Sequence, residues 1–444
     1  MGYFKQYSKE LLHIAMPIIM GNLGFILIGA GDVLIAGRHS TDTLAAISIA
    51  TAISNCILTF GVGLIASASP VISNYRGARK PSKKYFYPTI RFAMICAFII
   101  MLAILACVPA IDLLGFEEKL VPAIKQYMAI AAFATFGGYL HVAVKEYLQA
   151  FEIVLFPNLL TIFAVFLNVG LNILLVFGVG PIPSLGVVGL AIASLVVRYF
   201  MGIVLYVYAH CIMKFKDFWQ TKDYYKSLVK VGLPISFAIL IEFVAFNSVA
   251  IFMGRVSGVY AAAQHLVCTL TTITFMIPFA LSNAIAVKVG FANGAKNIVD
   301  MKRYINAGMS IAIGFMLCCS VIFAVFPEFL VSIFTNDKTL INICIPVIYI
   351  LAFYQIFDGI QISLSGIFKG IKKTNIVMIS NFIGYWIVSI PLGYTLAFKF
   401  GLNLLGFWIG IAIAIVILCS IMSIILAKYL NKIKNEVPAI AISE

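Results

Sequence analysis

The chain has 444 residues, 62% of them hydrophobic and only 11% charged, with a net charge of +14. Ordinary soluble domains are about a quarter charged, so this composition excludes a water-soluble globular protein and points to lipid as the solvent. The excess of positive charge raises nucleic-acid binding as an alternative, and its placement along the chain argues against it.

In chain order, apolar runs cover residues 11–36, 43–72, 86–109, 122–150, 154–179, 185–212, 228–254, 258–290, 303–327, 340–369, 375–399 and 403–428. Each is long enough to cross a hydrocarbon core of about 30 Å as a helix. None shows the ten-residue alternation of a barrel strand, and lipid leaves helices as the other way to pair every backbone group. The fold class is therefore an all-α polytopic membrane protein with twelve transmembrane helices. The first run is too long for a signal-peptide core and lacks a small-residue cleavage site, so it is read as the first helix of the mature chain. Nine cysteines without a CxxC pair give no metal or redox pattern, and no cofactor is expected.

Of the 31 Lys and Arg, 22 fall on the side of the N-terminus, 6 on the other side and 3 inside spans. Arg76, Arg79, Lys80, Lys83 and Lys84 share one loop, and Lys214, Lys216, Lys222, Lys226 and Lys230 cluster around another. That bias marks cytoplasmic loops and places both termini in the cytoplasm of a multi-pass protein of the plasma (inner) membrane. The charge thus sets topology, and no nucleic-acid partner is expected.

The sequence repeats internally. A shift of 217 residues lays Pro17 on Pro234, Ile18 on Ile235, Gly37-Arg38 on Gly254-Arg255, Ala45-Ala46 on Ala262-Ala263 and Gly77-Ala78 on Gly294-Ala295. Further on, a shift of 220 or 221 lays Phe136 on Phe357, Gly138 on Gly359 and Leu185-Gly186 on Leu405-Gly406. Six crossings return each copy to the same side, so the copies form two parallel-repeat lobes around a central cleft. The expected organisation is an N-terminal lobe at 1–212, a cytoplasmic interfacial linker at 213–227, a C-terminal lobe at 228–430 and a cytoplasmic tail at 431–444. In the linker, Trp219, Tyr224 and Tyr225 alternate with lysines and read as an interfacial anchor. Gly37-Arg38 and Gly254-Arg255 read as helix stops. Pro17 and Pro234 mark tolerated bends, and Gly21, Gly24, Gly29 and Gly31 mark close helix contact.

Three acids lie well inside spans, namely Asp32, Glu242 and Asp358, and the repeat sets them against Val249, Phe25 and Gly137. They are additions to the scaffold. An ionised side chain at the centre of a span costs about 2.5–3.5 kcal/mol on insertion scales, which calls for either a neutral, hydrogen-bonded packing role or a cation-coupling role in a water-filled cleft. Three unduplicated acids favour coupling. Asp358, Gln361 and Ser365 share a helical face of oxygen atoms suited to sodium, with Glu242 and Asp358 as candidate Na+ ligands. Asn168 and Asn172, four apart on the fifth helix, are candidates to face Asp32. His141, Lys145 and Glu146 are read as pairing near the inner end of the fourth helix, and His265 as a packing residue. Phe243 and Phe246 beside Glu242, with Tyr354 and Phe357 beside Asp358, supply the aromatic faces that bulky organic cations need.

These segments resemble a known family. "AMPIIMGNLGFILIGAGDVLIAGR", "GLPISFAILIEF" followed by "YAAAQHLV", "FDGIQISLSGIFKGIKKTN", and the pair "LGVVGLAIAS" and "LGFWIG" are similar to the multidrug and toxic compound extrusion (MATE) transporters, in order over essentially the whole chain. The resemblance is to the NorM-like branch, through the acids at Glu242 and Asp358. It implies export of cationic, amphipathic compounds in exchange for inward Na+ or H+ by alternating access, with Asp32, Glu242 and Asp358 as cation-coupling residues. Small organic cations and the lipid bilayer are the expected partners, and the chain is expected to be a monomer. Asn172 departs from the pattern, since members that join the fifth helix to the acid on the first often carry aspartate there. Two rival functions fit the composition less well. A lipid-linked saccharide flippase needs several central cations, whereas the spans hold Arg91, Arg198 and Lys288 beside three acids. A polytopic membrane enzyme needs a catalytic motif such as HExxH, and no such motif or nucleotide-binding GxxxxGK[ST] is present. A carrier, not an enzyme, is expected.

Overall fold

The computed structural model describes residues 2–178, 180–181, 183–215 and 221–436, with the side chains of 434–436 left aside. Lys216 and Trp219 of the expected linker, and 437–444 of the expected tail, lie outside these residues. Twelve helices among the described residues are long and apolar enough to cross a membrane. They are α1 (Gly2–His39), α2 (Thr41–Gly77), α3 (Ser82–Leu113), α4 (Val121–Ala150), α5 (Leu155–Phe177), α6 (Gly186–Ile212), α7 (Lys222–Val256), α8 (Gly258–Gly294), α9 (Ile298–Val325), α10 (Lys338–Gly370), α11 (Thr374–Lys399) and α12 (Asn403–Ile433). No strand occurs among them.

The repeat is written into the backbone as well as the sequence. Ser40 and Ser257, 217 apart, hold nearly identical extended conformations and accept hydrogen bonds from the backbone N–H of Thr43 and Tyr260, so each caps the second helix of its half. Left-handed φ angles recur at Arg79 and Lys296 (55° and 56°) and at Glu152 and Lys372 (65° and 58°). These conformations disfavour residues with a Cβ, so their return at matched positions marks the same turn built twice.

Several helices differ from their expected form. Gly37 and Gly254 do not stop α1 and α7: both are helical, and the corner is made by the capping serines three residues later. Within α2 the helix is interrupted at Ala66-Ser67, where Ser67 turns its hydroxyl back onto the Leu64 carbonyl at 2.7 Å. Residues Phe382–Ser389 and Thr395–Lys399 of α11 are wound as π-helix, a rare geometry that often accompanies function.

The chain forms two compact units, one comprising Met16–Ser236 and the other Met1–Ala15 with Phe237–Glu444. The first fifteen residues thus pack with the C-terminal unit, and the start of α7 packs with the N-terminal one. In the N-terminal unit Tyr224 is buried, stacked on Tyr85 at 4.5 Å, with its hydroxyl 2.7 Å from that of Thr89. It is a core residue there and not an interfacial anchor. In the C-terminal unit its repeat mate Tyr7 bonds Asp300 and accepts from Arg303 at 3.2 Å. Close by, Glu10 takes the Lys288 ammonium at 3.1 Å and the Tyr304 hydroxyl at 2.5 Å. Lys288, one of the three cations within spans, is therefore paired with an acid of its own unit.

Candidate functional site

The N-terminal unit builds its site on α1, α5 and α6. Gly24 and Gly31 let α1 lie close on α5: a Cβ at these positions would stand 3.2 Å from Thr161 Cγ2 and 3.3 Å from Val169 Cγ2, and one at Gly21 would overlap Asn158. Gly29 has open space in front of it and borders a cavity instead. At this contact Asn172 Nδ2 donates to Asp32 Oδ1 at 2.6 Å and to Asn168 Oδ1 at 3.1 Å. Ser194 Oγ on α6 donates to the second carboxylate oxygen at 3.2 Å. Of the two asparagines, Asn172 contacts Asp32 directly and Asn168 is joined to it through Asn172; Ser194 is a further partner that the sequence reading does not include. Asp32 and Asn168 border a cavity of about 520 Å³, bounded also by Ser54, Tyr127, His141 and Arg198.

α4 and α6, which also line that cavity, pack closely on each other. A Cβ at Gly137 would fall 2.6 Å from the backbone nitrogen of Tyr199, and one at Gly202 would fall 2.7 Å from the Gly137 carbonyl. Gly137 is the repeat mate of Asp358. A side chain has no room at that position in the N-terminal half, which gives a steric reason for the acid to appear in one copy alone.

In the C-terminal unit the acids are held by α7, α10 and α11. Tyr385 donates its hydroxyl to Glu242 Oε1 at 3.3 Å, and Tyr354 donates to Asp358 Oδ1 at 3.0 Å. One turn along α10, Gln361 Nε2 reaches Asn381 Oδ1 at 3.4 Å, and Asn381 donates to the Ala238 carbonyl of α7 at 3.3 Å. Asn381 and Tyr385 are four apart on α11 and bracket the start of its π-helical stretch, so one helix serves both the Glu242 and the Gln361 contacts. Asp358, Gln361 and Ser365 are all buried, and Gln361 Oε1 has no hydrogen-bond partner. The two acids flank one aromatic cluster: Phe246 lies 5.8 Å from Tyr385 and 6.0 Å from Trp408, and Trp408 meets Tyr354 edge-on at 5.8 Å. Trp408 is itself fixed by a 2.9 Å hydrogen bond to Gln264.

The halves share a plan here. Each sets an acid of its first helix against a polar side chain of its fifth, Asp32 against Asn172 and Glu242 against Tyr385. Of the four aromatic residues singled out beside the acids, Tyr354 is buried, Phe246 and Phe357 pack against the same core, and Phe243 is exposed. His265 is exposed and not a packing residue. Lys145 lies over the Phe25 ring at 5.5 Å, and His141 stands edge-on to that ring at 6.0 Å.

Known proteins share this fold. The chain is 28% identical over 441 residues to a probable multidrug resistance protein NorM of Mesorhizobium japonicum, covering 94% of this chain and 93% of that one. It is 26% identical to proteins of the same description from Bacillus subtilis (92% of each chain) and Acinetobacter baylyi (98% of each). In fold it is similar to a mutant Vibrio cholerae MATE transporter, with TM-score 0.89, 19% identity and coverage of 97% of this chain and 99% of that one. A MOP superfamily transporter from Pyrococcus furiosus aligns with TM-score 0.87 and 18% identity over 96% and 97% of the two chains. The MatE family model matches twice, at residues 17–174 and 234–395, and the offsets of its two ends, 217 and 221, are the shifts of the internal repeat. With the model covering more than half of the chain, and with the duplicated six-helix plan found in both sequence and backbone, the protein belongs to the MatE family of membrane transporters and is not an enzyme.

Proposed function

We propose that the protein is a secondary active antiporter that exports cationic amphipathic organic compounds in exchange for Na+ or H+ by alternating access. The observation that carries this reading is the company the acids keep. Among the described residues Asp32, Glu242 and Asp358 make no ion pair, and the partners recorded for them are the neutral donors Asn172, Ser194, Tyr385 and Tyr354. A carboxylate in a membrane interior that no ion pair occupies is a place for a mobile cation. The relatives' description as multidrug resistance proteins supports small organic cargo.

Coupling follows from competition. When an organic cation and a small ion seek the same carboxylates, arrival of the ion releases the cargo, and departure of the ion readies the site again. One positive charge entering down a 100 mV potential supplies about 2.3 kcal/mol, before any concentration gradient is added. For sodium, the carboxylates of Glu242 and Asp358 with the unpartnered Gln361 Oε1 supply hard oxygen ligands of the required kind. For a proton, either carboxylate suffices. Bends near Pro17 and Pro234, where α1 and α7 pass from one unit to the other, supply flexible points for such a cycle.

The test is transport in proteoliposomes loaded with a fluorescent organic cation, comparing a sodium jump with a pH jump. Efflux driven by at least one gradient without ATP is expected. Efflux that requires ATP, or that ignores both gradients, contradicts the proposal.

A further inference from the structure

The second copy of the repeat carries its positive charge differently from the first. In the N-terminal unit Arg76 reaches Glu152 at 3.9 Å and lies over the Phe151 ring at 4.9 Å, so an ion pair and a ring close that corner. The repeat sets Asn293 against Arg76 and Lys372 against Glu152. At the same shift of 220 it sets Lys373, Lys428 and Lys432 against Ile153, Tyr208 and Ile212. The corner of the C-terminal unit has therefore lost its acid and gained lysines that the scaffold of the first copy does without.

The packing gathers them around a cavity. α10 ends tightly on α8: a Cβ at Gly370 would stand 3.0 Å from the Ala286 carbonyl oxygen and 3.1 Å from Gly290 N. Just beyond, the Lys373 ammonium lies 4.0 Å from the centre of the Tyr429 ring on α12, and the Tyr429 hydroxyl donates to Asn293 Oδ1 at 3.5 Å. Tyr429 and Ile433 are four apart and share a helix face, and the exposed Lys428 and Lys432 directly precede them. Where these ends meet the turn from α8 to α9 there is a cavity of about 390 Å³, whose lining combines apolar Ile298, Met301 and Ile433 with polar Asn293, Lys296 and Asn297. Among the described residues neither Lys296 nor Lys373 makes an ion pair, and Asp300, the nearest acid in sequence to Lys296, is held by Tyr7 and Asn297.

The cavity lies at the ends of α8 and α12, on the side that the lysine bias assigns to the cytoplasm. We infer that this corner binds one anionic phospholipid of the adjoining leaflet, with its phosphate held by Lys296 and Lys373 and its glycerol and upper acyl chain against Ile298, Met301 and Ile433. Basic pockets between helix ends at the headgroup level suit such lipids, and the apolar half of the lining favours an amphiphile over free phosphate. The inference goes beyond the antiport reading and does not depend on it.

The experiment uses purified full-length protein in a neutral detergent, with retention of phosphatidylglycerol or phosphatidylcholine of the same chains read by native mass spectrometry. A phosphatidylglycerol with a diazirine near its glycerol end locates the contact in proteoliposomes through cross-linked peptides. The wild type is expected to retain phosphatidylglycerol in preference, with cross-links on Met301 or Ile433. Lys296→Asn/Lys373→Gln is expected to lower that affinity at least about fivefold, the factor that one lysine contributes at an anionic surface. Asparagine is chosen because it accepts the 56° φ of Lys296. Lys80→Gln/Lys83→Gln, which removes two exposed lysines of the N-terminal unit, is expected to leave the affinity unchanged. Without lipid the first double variant should melt no lower than the wild type, and added phosphatidylglycerol should raise the melting temperature of the wild type more. Equal retention of the two lipids, equal losses from the two double variants, cross-links elsewhere, displacement of the lipid by inorganic phosphate, or a first double variant that melts lower without lipid overturns the inference.

Discussion

Gly137 and Gly138 are adjacent on α4, yet a methyl group at each should have opposite effects. At Gly137 the new Cβ would lie 2.6 Å from Tyr199 N and 2.7 Å from Tyr199 Cα, where ordinary contact begins at 3.4 Å. Both atoms are backbone, so no side chain can swing aside, and α6 must retreat by roughly 0.8 Å at a cost of about 1–3 kcal/mol. At Gly138 the nearest atom is Arg198 Cδ at 3.6 Å, an ordinary contact, and alanine raises helix propensity by at most about 1 kcal/mol. The same retreat would stretch the 3.2 Å bond from Ser194 to Asp32 beyond hydrogen-bonding range, so Gly137→Ala should also impair transport without touching an acid. Thermal unfolding of the purified protein can be followed by a thiol-reactive fluorophore, since Cys96, Cys319, Cys344 and Cys419 are free and buried. Gly137→Ala is expected to melt below the wild type, and Gly138→Ala at or above it. Equal melting of the two variants, or an undisturbed Gly137→Ala, would refute the packing argument.

The docking of the α1 start onto its unit predicts energetic coupling between Glu10 and Lys288, whose side chains are 32% and 11% exposed. A double-mutant cycle with Glu10→Gln and Lys288→Met, read by unfolding, should give a coupling of about 1–2 kcal/mol, below that of a fully sealed pair; a value under about 0.3 kcal/mol contradicts the contact. Trp408→Phe removes the indole N–H that satisfies the buried Gln264 Oε1 and should cost about 2–4 kcal/mol. Adding Gln264→Leu to that variant should recover part of the loss, and a further loss would show that the hydrogen bond is not the reason. Asn172→Leu withdraws the 2.6 Å donor from Asp32 and should change the ion dependence of transport, measured as the half-saturating concentration of the coupling ion, at least threefold; an unchanged dependence would remove Asn172 from the site.

The twelve spans and the duplicated plan were legible in the sequence because lipid imposes length and apolarity on each helix, and a repeat leaves its glycines and prolines in register. The three acids stood out for the same reason, being costly in their surroundings. Their partners did not. Whether Ser194 or Tyr385 reaches a carboxylate, or Asn381 reaches Gln361, depends on the rotation of each helix about its axis, and the π-helical winding of α11 that accompanies Tyr385 and Asn381 has no compositional sign. The four-residue spacing of Ser194 and Arg198 was present to be read, but nothing in it told which face met Asp32. The assignment of the α1 and α7 starts to the opposite units was likewise hidden, since a bend at Pro17 or Pro234 fixes no direction. Tyr224 shows the consequence: beside lysines it reads as a surface anchor, and only the crossing of α7 makes it a core residue.

The central claim is that small ions and organic cations take turns at Asp32, Glu242 and Asp358. The most direct measurement adds ethidium to the purified protein, pre-equilibrated with sodium or in lightly buffered solution, and follows the sodium or protons displaced. The account predicts stoichiometric release from the wild type and none from Asp32→Asn/Glu242→Gln/Asp358→Asn. Equal release from that triple variant, or ethidium binding that displaces no ion from the wild type, would contradict it.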